Sequence, residues 1–223
     1  SSDLDPTENY LKSDNTMNNK LPYFCKALSK MKPLSLENIT SKRNLIYNLI
    51  LKKFNISDMM LTNDNYKELI SNISNNDFIT TLFRGYDISF FNRKYRRYTG
   101  ITGCKSKVCI DGKCFESKSY QGFNDNPDTV LHINIDSKKL LDNLKFIEDE
   151  NIASDSFSPN KLDNILKYII LIFEHELVHS FINCFCSSME KGDTYKEVHS
   201  SIFRKIVRNL FGHSDKTHNL LAN

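Results

Sequence analysis

No run of apolar residues in this 223-residue chain is long enough to cross a membrane, and residues 1–19 are too polar for a secretory signal. No internal repeat or low-complexity block is present, so a solenoid or a linker array is excluded. Six cysteines, irregularly placed, are too few for a disulfide-built scaffold. A net charge of +3 does not by itself demand a nucleic-acid partner, so any such contact must rest on local clustering. Glycine is scarce, with 7 residues against 25 asparagines. That bias reflects AT-rich coding DNA and carries no mechanism. With 39% apolar and 26% charged residues, what is left is an ordinary soluble globule of one domain, or one domain with a small appendage.

Within that composition one stretch stands apart. Residues 166–186 are apolar on nearly every side, yet they carry His175-Glu176-Leu177-Val178-His179, the H-E-x-x-H pattern. On a helix, residues four apart share a face, so His175 and His179 can turn their imidazoles to one ion while Glu176 is offset toward a water beside it. Chance produces such a pattern in roughly one chain of this composition per hundred, and burial makes chance a worse account, since polar groups on an apolar helix are costly unless satisfied. Ser158 reads as the N-cap of this helix and Pro159 as its first residue.

Along the rest of the chain, residues 1–20 read as disordered. Residues 21–75 read as a helical N-terminal extension, with Thr40 or Ser41 capping a helix whose stripe is Leu45, Ile46, Leu49, Ile50 and Phe54. Phe78, Ile79, Leu82, Phe83, Tyr86 and Phe90 recur at helical spacing. From residue 95 the texture changes to short strands or a hairpin, with an Asp111-Gly112 turn signal, and residues 130–135 alternate as a half-buried strand. Residues 137–150 look helical. A last helix over 195–211 carries Val198, Ile202, Phe203, Ile206, Val207 and Leu210 and stops at Gly212. Cys25, Cys184 and Cys186 read as isolated thiols. Cys104, Cys109 and Cys114 are evenly spaced but lack the close pairs of structural zinc sites, so free thiols in a reducing, intracellular compartment are expected.

A catalytic zinc takes three protein ligands and keeps one position open. The short spacing that would put a third histidine at position 185 is absent, since Phe185 stands there. The remaining candidates are Glu190, Glu197, His199, His213 and His218. His199, twenty residues after His179 and early on the last helix, leads, with Glu197 as its main rival.

The order Arg97-Tyr98-Thr99-Gly100-Ile101-Thr102, Val130-Leu131-His132-Ile133-Asn134-Ile135-Asp136, the H-E-x-x-H and then His199-Ser200-Ser201-Ile202-Phe203 resembles the SprT-like (Spartan) metalloprotease domain. Leu82 to Asn92 resembles the helix that precedes the sheet in that family. The resemblance covers residues 76–212, with 76–223 taken as the domain. It implies an α+β fold, a zincin-like core with a small, mainly antiparallel sheet packed against the H-E-x-x-H helix; the helical N-terminal layer over residues 21–75, unmatched by the family, is added to it from the residue pattern alone. It implies Zn2+ bound by His175, His179 and His199, Glu176 as general base, and cleavage of proteins bound or crosslinked to DNA. Three departures stand out: Ser200 follows the third histidine where the family commonly has glycine, residues 104–130 form a long insert, and no zinc-ribbon tail follows.

Charge clustering bears on the partner. Arg93, Lys94, Arg96, Arg97, Lys105 and Lys107 place six positive charges within fifteen residues, interleaved with Tyr95 and Tyr98. The combination suits phosphate contact with base stacking on single-stranded or distorted DNA, and equally suits a charged sheet edge. The partners expected are therefore a protein substrate and DNA, without a membrane. Two other readings compete: a non-catalytic, zinc-stabilised module that binds nucleic acid or a transcription complex, and a general peptidase independent of DNA. A structural site has no use for Glu176.

Overall fold

The computed structural model describes residues 17–62, 65–73, 76–99, 103–109, 130–136, 164–186 and 200–213. In chain order the elements are α1 (Met17–Lys30), α2 (Leu36–Lys53), a 3-10 turn (Asp58–Leu61), α3 (Tyr66–Ile73), α4 (Asn76–Ser89), α5 (Lys94–Thr99), β1 (Gly103–Cys109), β2 (Val130–Asp136), α6 (Ile165–Phe185) and α7 (Ser201–Phe211). No helix among the described residues is long and apolar enough to cross a membrane.

Everything is arranged about α6. Its residues Ile165, Leu166, Ile169, Ile170, Phe173, Leu177, Val178, Phe181 and Phe185 are all buried, so the helix needs cover on every side. Helices α1 and α7 pack along it and against each other, and α4 meets it through Tyr86 on Phe173. Near its C-terminal end, Phe24 of α1 packs edge-on against Phe91, Tyr98, Phe181 and Phe185. Phe24, Ile46 and Ile50 thus share one core with Phe83, Phe173 and Phe211. The segment before residue 76 is not a layer apart.

The expected α+β core with a small, mainly antiparallel sheet is corrected. Among the described residues the core is helix on helix, and the one ladder is a two-stranded parallel pair running from Gly103↔Val130 to Cys109↔Asp136. Two causes account for the difference. The basic-aromatic run read as the start of a strand is α5, and a parallel pair needs a long crossover connection, which the insert after β1 supplies. The pair flanks the helices, β1 beside α4 and β2 beside α6. The Asp111-Gly112 hairpin and the helix over 137–150 lie outside the described residues.

Helix ends follow local side chains. Ser35, not Thr40 or Ser41, caps α2 by accepting from the Asn38 amide at 3.2 Å. The face α2 buries is therefore Ile39, Arg43, Ile46 and Ile50, while Leu45 and Leu49 are exposed. Asn164, not Ser158, caps α6, accepting from the Lys167 amide at 3.0 Å. Ser200 caps α7, so this helix begins six residues later than expected. Gly212 ends it in the left-handed region at φ 66°, as anticipated. Gly85 lets α2 pack closely on α4, since a Cβ there would lie 3.3 Å from Ile46.

Cys25 and Cys186 are joined in a disulfide that ties α1 to the C-terminal end of α6, which corrects their reading as isolated thiols. The packing of α1 brings their Cα atoms to 5.4 Å, inside bridging range. In the chain-entropy picture a bridge closing so long a loop stabilises the fold by about 5 kcal/mol. Cys184 is buried and takes no part in a disulfide, as expected, with its Sγ 3.5 Å from Tyr95 Oη.

Candidate metal centre

At its middle and over the next turn, α6 presents His175, Glu176 and His179. His175 is buried, while Glu176 and His179 are half-buried, so this stretch of a largely buried helix reaches solvent. The helical four-residue spacing brings the two Nε2 atoms to 3.1 Å. Phe203, in the first turn of α7, packs its ring on both imidazoles, 4.4 Å from His179 and 5.0 Å from His175. Two nitrogen ligands about 2.0–2.1 Å from a tetrahedral zinc sit roughly 3.3 Å apart, so the pair fits two positions of such an ion. Among the described residues no third His, Cys, Asp or Glu completes the group.

His199, expected as the third ligand, lies outside the described residues, as do Glu190, Glu197 and His218. Ser200, which follows His199 directly, is buried as the cap of α7. His213 is described and belongs elsewhere, with its Nε2 2.7 Å from Glu174. Tyr168 is buried about 10 Å back along the helix from His175, at a rise of about 1.5 Å per residue, too far to act as a donor at the pair.

Directly before His175 lies a group that the motif does not announce. The Glu174 carboxylate, 0% exposed, accepts from Arg43 Nε at 2.6 Å and Nη2 at 2.5 Å, from Tyr86 Oη at 2.5 Å and from His213 Nε2. Arg43 Nη2 also donates to the backbone oxygen of Phe211 at 2.7 Å. Burial pushes the Glu174 carboxyl up, but the Arg43 charge and the hydrogen bonds from His213 and Arg43 outweigh it and hold the group ionised, below its ordinary value. Burial pushes His213 down, and Glu174 only partly offsets that, so the imidazole is neutral at pH 7 and donates through Nε2–H. Burial and the Glu174 charge push the Tyr86 phenol well up. The signal available in the sequence was a glutamate on an all-apolar helix, which needs a cationic partner; nothing in the sequence pointed to Arg43 as that partner.

The basic cluster divides. Arg93 and Arg97 are exposed, and Lys94 is half-buried. Arg93 sits in the left-handed region at φ 62°, in the tight turn joining α4 to α5. Arg96 is an ion-pair partner of buried Asp87 at 2.6 Å, and Asp87 also accepts from the Tyr95 amide at 3.0 Å. Tyr95 as a platform for bases is corrected: its ring is 0% exposed among Phe83, Phe91 and Phe181, and its hydroxyl lies 2.6 Å from Ser180 Oγ on α6. The helical period turns Tyr95 inward while Arg97 faces out, and the preceding turn leaves Arg93 exposed. Tyr98 is half-buried against Phe24. Lys105 and Lys107 lie on β1, which the structure describes as backbone. Comparison with protein-family models, with curated proteins and with solved structures finds no match for this chain.

Proposed function

We propose that this chain is a zinc-dependent endopeptidase whose metal is held by His175, His179 and His199, with protein substrates presented on DNA. The observation that carries this reading is the convergence of the His175 and His179 Nε2 atoms to 3.1 Å on a stretch of a buried helix that reaches solvent. Zinc at that position supplies an acidified water and a positive charge beside the scissile carbonyl. The two imidazoles, whose Nε2 atoms converge, would hold the zinc. Glu176, half-buried between them in sequence, takes a proton on its carboxylate as the attacking water loses it, and returns it to the leaving amine nitrogen. Phe203 covers one side of both rings, limits their rotation and keeps bulk water from that side. It also supports His199 as third ligand, because the residues just after His199 meet the pair.

DNA enters through α5. With Tyr95 inside and Arg96 committed to Asp87, phosphate contact falls to Arg93 and Arg97, helped by Lys94. A protein attached to DNA at that helix is held near the metal at raised effective concentration.

The test measures metal content and hydrolysis together. Wild type should hold one zinc per chain, and Glu176→Gln should retain it while losing cleavage, since a base is removed and no ligand. Cleavage should rise with single-stranded DNA at low salt, and Arg93→Glu with Arg97→Glu should abolish that rise without loss of zinc. An active Glu176→Gln protein sinks the peptidase reading and leaves a zinc-stabilised binding module. Equal cleavage with and without DNA leaves a general peptidase.

A further inference from the structure

Arg43 comes from α2, far from the metal motif in sequence, and is 0% exposed. Its guanidinium does two things at once. Nε and Nη2 grip both oxygens of Glu174, the residue before His175, and Nη2 also donates to the carbonyl of Phe211, the last residue of α7. A planar guanidinium fixes the angle between these partners, which a lysine ammonium, as a point charge, does not. Helix α7 is thereby held at both ends: by Arg43 at Phe211, and by Phe203 seated on His175 and His179. His213, two residues past Phe211, closes the same cluster by donating to Glu174 Oε2, and Tyr86 of α4 donates to Oε1. Rotating α6 about its axis, or sliding α7 along it, breaks several of these bonds together.

We infer that Arg43 is a positioning residue for the metal site, a clamp from the N-terminal part of the chain that fixes the rotation of α6 and the seat of α7, and so how Phe203 holds the His175 and His179 rings. This rests on the metal reading above and deepens it: residues before the domain suggested by the motif would be required for the site's geometry.

A buried ion cluster also serves stability, and the two roles separate experimentally. Replacing a buried ion pair by apolar groups of similar size often leaves stability unchanged, whereas the directional grip is lost. The variants are Arg43→Lys, and a charge-free set combining Arg43→Met, Tyr86→Phe, Glu174→Leu and His213→Leu, which leaves no side-chain donor of the cluster behind. The readings are the melting temperature of the metal-free full chain, affinity for Co2+ alone by chelator competition, and the visible absorption band of bound Co2+, which reports ligand geometry. The charge-free set should melt within a few degrees of wild type. Both it and Arg43→Lys should bind Co2+ about 10- to 100-fold more weakly, with a shifted or weakened band. Wild-type affinity and band in either folded variant overturns the inference alone. A wild-type protein with no His175-dependent Co2+ uptake overturns the metal reading and this inference with it. If the charge-free set does not fold, Arg43→Lys decides by the same two metal readings.

Discussion

Glu174 and His175 are neighbours on one helix, and their surroundings differ in kind. Glu174 is sealed, with both carboxylate oxygens engaged by donors from α2, α4 and the segment after α7. The histidine pair, on the adjoining face, reaches solvent through His179 and Glu176, and its ring nitrogens converge on each other. A sealed cluster has its partners built into the fold and keeps its shape without a ligand. A half-open pair of converging donors has room for an ion and for what the ion binds. On an apolar helix both cost burial of polar groups, so burial alone does not separate structure from chemistry. Closure does.

The largest expected contrast is in stability. Glu174→Ala leaves Arg43 buried without its counter-ion and should cost about 3–5 kcal/mol in urea unfolding of the metal-free chain. Glu176→Gln, two positions along and half-buried, should change it by no more than about 0.5 kcal/mol. Equal effects would erase the distinction between sealed and open. A smaller effect sharpens the same contrast through pH. His213 is neutral and held below its ordinary value, so as pH falls past about 6.5 the unfolded chain takes up a proton that the folded one resists. Stability from this group is complete above that value and declines below it, by up to about 1.4 kcal/mol per pH unit. Comparing the stability–pH profiles of wild type and His213→Gln isolates this slope; parallel profiles would show that the histidine is not sealed in. The smallest effect lies beside the open side. Tyr95→Phe removes the bond to Ser180, the residue after His179, and should cost about 0.5–1.5 kcal/mol with Co2+ affinity unchanged. A loss of several kcal/mol there would mean that this side is as closely built as the other.

Much of this was legible in the sequence, and the misses share a cause. The His175–His179 pairing follows from helical period alone, as does the burial of α6. The Gly212 cap and the inward face of α7 were read correctly because both depend on neighbours in the chain. What the sequence hid was long-range. Arg43 meets Glu174 across 131 positions, and Cys25 meets Cys186 across 161. No local pattern marks either. The strand expected at residue 97 failed for another reason: alternating Arg and Tyr fits a strand edge and a short helix alike, and Asp87, capping from α4, decided for the helix. The expected sheet-based core fell with it. The cysteine argument for a reducing compartment also loses two of its thiols to the bridge.

That bridge makes most of the polypeptide a closed ring. Its ends meet where α1 lies against the end of α6, so every element from α2 to α6 belongs to the covalent circle. A single backbone cut anywhere within the ring opens it without dividing the molecule. The sealed cluster around Glu174 and the pair at His175 and His179 then stay on one covalent body, whichever peptide bond in the ring is lost.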